Sequence, residues 1–354
     1  MSSDRTISCA FAQLGALPHI TACICTHNRP EYLRDCLDGL RAQSVGTDAF
    51  DILVVDSGSS GPQATRITEL VGETANARLV RVDQPGLSRA RNAAAQAVGD
   101  GYAAFLDDDA IPAVDWIATI QAVLKAETPA PALLAGAVWP LWEAPLPSWW
   151  PPDLRGLLTI IEAQGRGDFR RPGMARYLEP YGANMIVDVR SLLAAGGFAE
   201  AIGRHGESLL SDEEKVLAWR LQDDGQRVFY DSRVVVHHQV QAERLTVRWL
   251  LRRMYWQGVS QVRSTRCLAR GRALWREALR RLAILLLFAP VALIPVKSPR
   301  LLALRWRWAY ARGFWREFLE TVETPATSRM SERGMSRVSV GTIAVPGDDY
   351  SSAL

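Results

Sequence analysis

Apolar residues dominate short runs over the first hundred or so positions, at 19–26, 50–55, 78–82 and 102–106. Runs of this length bounded by turn residues read as strands buried on both faces. Helical spacing fills the gaps. Pro30 opens one helix, with Leu33, Cys36, Leu37 and Leu40 on a single stripe, and others cover 62–72 and 88–98. Proline suits a first helical turn because its missing N–H has no partner there in any case. Strand–helix alternation of this kind predicts an α/β fold with a doubly wound sheet. Such sheets bind ligands beyond the carboxyl ends of their strands. Thr26, Asp56 and Asp107 to Asp109 all fall at such ends.

The pattern then breaks. Between 129 and 152, Trp139, Trp142, Trp149 and Trp150 alternate with prolines at 129, 131, 140, 145, 147, 151 and 152, which predicts a loop-rich insertion. Regular structure resumes at 181–187 and is followed by Gly196-Gly197-Phe198. A helix is expected from about 211 to 220, then a strand over 227–236 ending in His237-His238. One arginine-rich helix is expected over 244–276, with Leu250, Leu251, Met254, Gly258 and Val262 on one face. Residues 282–296 are apolar and interrupted only by Pro290 and Pro295. A spanning helix needs roughly 20 apolar residues, so this stretch falls short. Its flanks carry Arg280, Arg281, Lys297, Arg300, Trp306 and Trp308, a composition suited to an interfacial or re-entrant segment.

Charge sharpens the division. Residues 244–316 hold 17 Arg/Lys and one acid, Glu277, a net +16, whereas the whole chain carries +3; the remainder is therefore at −13. A basic, aromatic flank on an acidic body implies two different surroundings. The apolar run inside the flank favours lipid over nucleic acid as its partner. Five scattered cysteines without a metal spacing read as reduced thiols in a cytoplasm. The first residues lack a basic segment leading into an apolar core, so no signal peptide is expected.

Asp107, Asp108 and Asp109 form the densest chemistry in the chain. A strand puts residues i and i+2 on one side, so Asp107 and Asp109 are expected to aim at one point. Two close carboxylates repel unless a cation lies between them, and a hard divalent ion with phosphate oxygens in its shell meets that need. A solvated acidic turn is the plainer reading of the same residues.

The ordered set of short motifs resembles the family 2 nucleotide-sugar glycosyltransferases. They are Cys25-Thr26-His27-Asn28-Arg29, Val54-Val55-Asp56-Ser57-Gly58-Ser59, Gly86-Leu87-Ser88-Arg89-Ala90-Arg91-Asn92 and Phe105-Leu106-Asp107-Asp108-Asp109. Gly182-Ala183-Asn184, Gly196-Gly197-Phe198 and Asp212-Glu213-Glu214 with Leu217 and Arg220 complete it, over about 18–240. The resemblance implies a GT-A fold with a doubly wound mixed sheet, carrying here a basic and apolar helical extension. It implies inverting transfer from a nucleotide-sugar donor, UDP- or dTDP-linked, to a hydroxyl. Thr26 and Arg29 would lie along the nucleotide, Asp56 would receive a base N–H, and Arg91 and Asn92 would face the diphosphate. Asp107 would sit by the ribose and metal, and Asp109 would coordinate Mg²⁺ or Mn²⁺. The base would be Glu214 or Glu213, with Asp212 as a further candidate. Asn184 and His237 would fall on the acceptor side, and His237 or His238 could reach the diphosphate or metal.

The expected domains are a tail (1–17), a donor-binding half (18–125), an acceptor-binding half (126–243), a membrane-associated helical region (244–324) and a disordered tail (325–354). The acceptor is expected to be a glycan or a lipid-linked sugar, with the protein cytoplasmic and peripheral on the inner membrane face. No G-x-G-x-x-G or Walker lysine follows the first strand, which argues against a dehydrogenase or kinase. A non-catalytic sugar-nucleotide-binding or scaffold protein is the competing class.

Overall fold

The computed structural model describes residues 18–169, 179–204, 206, 208–268, 271–290 and 298–322. The first half follows its pattern: β1 (Ile20–Thr26), α1 (Pro30–Arg41), β2 (Asp51–Ser57), α2 (Gly61–Gly72), β3 (Ala77–Val82), α3 (Leu87–Val98) and β4 (Tyr102–Asp107). These four strands lie parallel in the order β3-β2-β1-β4. Parallel neighbours require crossover helices, which bury both faces of the sheet. β1 is accordingly buried along its whole length, and α1 turns Leu33, Cys36, Leu37 and Leu40 into the same core.

The second half supplies β5 (Ala110–Pro112), α4 (Trp116–Ala126), β6 (Leu133–Trp142), β7 (Arg166–Asp168), β8 (Met185–Asp188), α5 (Val189–Ala194), α6 (Glu213–Asp223) and β9 (Val228–Val240). β8 runs antiparallel between β4 and β6, which makes the sheet mixed. β9 pairs with β6 along one edge and with β5 and β7 along the other. One core cluster, from Ile20 through to Val236, spans both halves.

Three expectations are corrected. The stretch at 129–152 is not all insertion, because it contains β6, whose first six residues are buried. Pro140 hid this strand. It is tolerated because the Val138 N–H points to Ile161, away from β9, and pairing on that side has ended two residues later. His237 and His238 lie inside β9, not at its end. The single basic helix is two, α7 (Val247–Cys267) and α8 (Gly271–Phe288). Of the apolar run, 282–288 continue α8, while 291–296 lie outside the described residues, as do 1–17 and 325–354. Among the described residues no helix is long and apolar enough to cross a membrane.

α9 (Pro299–Val322) packs against α7. The two touch backbone to backbone at paired glycines. A Cβ on Gly258 would meet the Tyr310 carbonyl, and one on Gly313 would meet the Tyr255 carbonyl. Leu250, Met254 and Leu302 then join Trp150, Leu158 and Val240 in a second small core, which ties the helix pair to the sheet. Forcing a methyl group into a closed contact typically costs about 1–3 kcal/mol. Gly258→Ala and Gly313→Ala should therefore each unfold roughly 2–6 °C below the parent in thermal scans. A midpoint within a degree of the parent would show that the helices do not meet there.

Candidate active site

The carboxyl ends of β2, β1 and β4 adjoin, with Thr26 opposite Asp56 and Cys25 opposite Asp107. They floor a cavity of about 800 Å³. Across it stand the first residues of α6, the backbone at 181–182, and Trp249, Arg253 and Gln257 of α7.

β4 stops at Asp107, and Asp108 and Asp109 lie in a turn. Strand alternation therefore stops short of Asp109, though Asp107 and Asp109 both line the cavity. Asp107 is about a quarter exposed and accepts from Arg91 at 3.1 Å. Asp108 is buried and held by Thr26 Oγ1 at 2.8 Å and by the Arg29 guanidinium. Asp109 is also buried. His238 Nε2 (3.3 Å) faces one of its oxygens, and Arg29 (3.1 Å), Gln241 (3.1 Å) and Arg244 (3.3 Å) donate to the other.

Burial pushes the Asp108 carboxyl up to about 6, against the pull of Arg29. Burial acts on Asp109 in the same sense, but His238, Arg29 and Arg244 outweigh it and hold that carboxyl well below the usual range. Among the described residues no group of three or more His, Cys, Asp or Glu side chains is set to hold a metal ion. Mg²⁺ or Mn²⁺ gripped by Asp107 and Asp109 together does not fit this arrangement. Arginine nitrogens hold the Asp109 oxygen it would need and neutralise that charge already.

A second network faces the first. Arg91 is buried, 3.1 Å from Asp107, 3.0 Å from Glu213 and 2.9 Å from Glu214. Burial disfavours its charge, but Glu214, Asp107 and Glu213 more than compensate and raise its pKa. Three acids on one cation leave negative charge in excess, and Glu213 relieves it. Burial, then repulsion from Glu214, pushes the Glu213 carboxyl up to about 8. Its Oε2 is buried without a hydrogen-bond partner.

Glu214 is the more open acid, 13% exposed against 3% for Glu213. Its Oε1 accepts from Arg91 at 2.9 Å and from the Gly182 N–H at 3.1 Å. Residue 182 has to be glycine, since a Cβ there would strike the Arg91 guanidinium. Asp212 adopts a left-handed backbone, with φ at 84°. α7 secures its carboxylate through Gln257 (3.1 Å) and Ser264 (3.3 Å), which occupies it and sets the start of α6.

Other expected site residues have structural work. Asp56 accepts the Ser59 N–H at 2.9 Å and lies 3.6 Å from Arg81. Asn92 exchanges two hydrogen bonds with the Phe198 backbone and so pins the Gly-Gly-Phe turn to α3. Asn184 is wholly buried and bonded to Trp116, Ala137 and Val234. Neither asparagine lines the cavity. Alternation along β9 sends His238 inward, not His237, so the histidine of this site is His238.

Residues 21–138 match glycosyl transferase family 2, the segment from β1 into β6. The chain is 25% identical over 246 residues to a glucosyl-dolichyl phosphate glucuronosyltransferase of Haloferax volcanii, covering 68% of this chain and 76% of the relative. Residues 21–138 thus carry a glycosyl transferase family 2 segment. The chain's fold matches a Pyrobaculum calidifontis mannosyltransferase solved with GDP-mannose and Mn²⁺ (TM-score 0.54, 18% identity, 86% of this chain and 88% of that one). It also matches residues 1–349 of TarS from S. aureus with UDP-GlcNAc (TM-score 0.50, 14% identity, 85% and 92%). At these identities the likeness is one of GT-A fold.

Arg204, Arg244, Trp249, Arg253 and Gln257 line the transferase cavity, and sequence reasoning missed all five. One signal was available for part of this set. Arg253, Gln257, Ser260 and Ser264 recur at helical spacing, a polar stripe that faces the α6 opening.

Glu213 gains proton affinity on folding, from an ordinary 4.5 to about 8. The folded state then binds more protons than the unfolded one, so this group's contribution is complete at low pH and is lost as pH climbs through about 5 to 8. Glu213→Gln keeps the uncharged shape and removes that loss. In thermal scans from about pH 5 to pH 9 the variant should gain on the parent as pH rises; parallel curves would refute the raised pKa.

Proposed function

We propose that this transferase moves a sugar from a nucleoside-diphosphate donor, UDP- or dTDP-linked, to an acceptor hydroxyl in one inverting displacement, with Glu214 as general base. The placement of Glu214 supports this reading. One of its oxygens is fixed by Arg91 and the Gly182 N–H, and the other accepts no hydrogen bond among the described residues. It shares the Arg91 guanidinium with Asp107 and so lies close to the strand ends, where the family resemblance puts the nucleotide. The acceptor oxygen bonds to the anomeric carbon as the bond to the departing phosphate oxygen breaks on the opposite face. The hydroxyl proton passes to Glu214. Glu213, protonated beside it near neutral pH, spares the pair a second negative charge and keeps Arg91 in register. In this scheme 18–125 hold the donor and 126–243 the acceptor. A divalent ion at the acidic corner would compete with Arg29 and Arg244 for Asp109.

The acceptor is assigned to the lipid-linked class. The Haloferax relative, by its name, works on a glucosyl-dolichyl phosphate. α8 supplies the physical support. Its residues 282–288 are all apolar and none is buried, and Leu286 and Leu287 are 70% and 72% exposed. Exposed Arg276 and Arg280 stand on the same helix. Apolar exposure beside cations suits an anionic membrane surface, so α8 is placed in the interfacial layer.

Glu214→Gln should lower transfer from the productive donor, found by screening UDP-, dTDP- and GDP-sugars, by about 10²–10⁴-fold with nucleotide binding retained. A loss under tenfold, or equal loss of nucleotide binding, would remove Glu214 from the base role. The double variant Leu286→Asp/Leu287→Asp should sediment far less with phosphatidylglycerol vesicles at unchanged thermal midpoint. Undiminished sedimentation would take α8 out of the membrane.

A further inference from the structure

Among the described residues, two arginines in the cavity have no carboxylate in ion-pair contact. Arg253 is 8% exposed; it donates to the Leu209 carbonyl and Ser211 Oγ, both at 3.1 Å, and its Nε is buried without a partner. Arg204 also keeps a buried, unpartnered Nε. Its backbone carbonyl docks on the Leu87 N–H at the start of α3, which carries the residue to the cavity wall. Among the described residues neither guanidinium has a carboxylate in ion-pair contact. The acids nearby are otherwise engaged, Asp212 by Gln257 and Ser264, Glu213 by Arg91, and Asp109 by Arg29, Arg244 and His238.

Elsewhere in the site every buried cation is matched, as Arg91 shows with three carboxylates. An uncompensated buried charge destabilises a fold unless something pairs it. We propose that Arg204 and Arg253, with Arg244 beside them, form a phosphate-oxyanion subsite in the cavity. This inference deepens the transferase reading and rests on it. The oxyanion comes from a phosphate ester, either the departing nucleoside diphosphate or the phosphate that links an acceptor to its lipid. Guanidinium forks suit both, because they hold two phosphate oxygens at once. The subsite would collect negative charge as the donor bond breaks, or fix a charged acceptor head against Trp249.

Electrostatics agree with the geometry. Burial, then the field of Arg204, lowers Arg253 to about 10, and burial, then Arg244, lowers Arg204. Each cation makes the next less comfortable, and a phosphate relieves all of them together.

Calorimetric titration of the full chain with inorganic pyrophosphate, UDP, GDP and farnesyl phosphate tests the proposal without turnover. Pyrophosphate should bind the parent, and Arg204→Gln or Arg253→Gln should weaken it about tenfold to a hundredfold. Arg253→Lys should recover part of the loss. A parallel weakening of UDP and GDP assigns the site to the donor; weakening of farnesyl phosphate alone assigns it to the acceptor. Arg204→Gln removes no side-chain hydrogen bond, so without anion its thermal midpoint should equal or exceed the parent's. The midpoint rise that pyrophosphate gives the parent should be missing in the variant. Unchanged pyrophosphate affinity in both folded variants, or a parent that binds none of these anions, overturns the subsite. A chain that binds pyrophosphate through these arginines yet transfers no sugar would instead sink the transferase reading.

Discussion

The site depends on one buried guanidinium. Arg91 comes from α3 in the first half of the chain and meets Asp107 on β4 and two acids at the start of α6. Without it, three carboxylates would crowd together at the cavity, and their mutual repulsion would raise their pKa values. With it, the end of the parallel sheet and the opening of α6 are locked at hydrogen-bond distance. The absence of a side chain at Gly182 and the protonation of Glu213 both follow from the space and the charge around that cation.

Charge is distributed unevenly about this clamp. The acidic corner is neutralised from within by Arg29 and Arg244, so Asp108 and Asp109 serve as anchors for cations as the protein stands. The cavity also carries Arg204 and Arg253, which have no carboxylate in ion-pair contact among the described residues. The acidic corner is satisfied and these cations ask for an anion, which gives the cavity a polarity suited to phosphate chemistry.

The C-terminal helices help to build the site. α7 donates Arg253 and Gln257 to the cavity and fixes Asp212, whose left-handed backbone sets the direction of α6. The close glycine contact with α9 and the core around Trp150 hold α7 in that place. The exposed apolar end of α8 belongs to the same helical assembly as α7 and α9.

Buried parallel strands were legible because their apolar runs and the stripes between them are local patterns, as were the strand-end residues Thr26, Asp56 and Asp107. The pair Glu213 and Glu214 came from the family resemblance, through its spacing to Leu217 and Arg220, and the two residues open α6. β6 was hidden because its proline is harmless only once the pairing on that side is known. The tertiary structure alone decided that Asp109 turns to arginines, that Asn92 and Asn184 bind backbone, that His238 faces inward and that Arg204 and Arg253 have no carboxylate in ion-pair contact among the described residues. Spacing along a chain fixes which residues share a strand or helix face. The partner of a buried charge is fixed by contacts between residues often more than a hundred positions apart, as with Arg91 and Glu213, and no local pattern carries that distance.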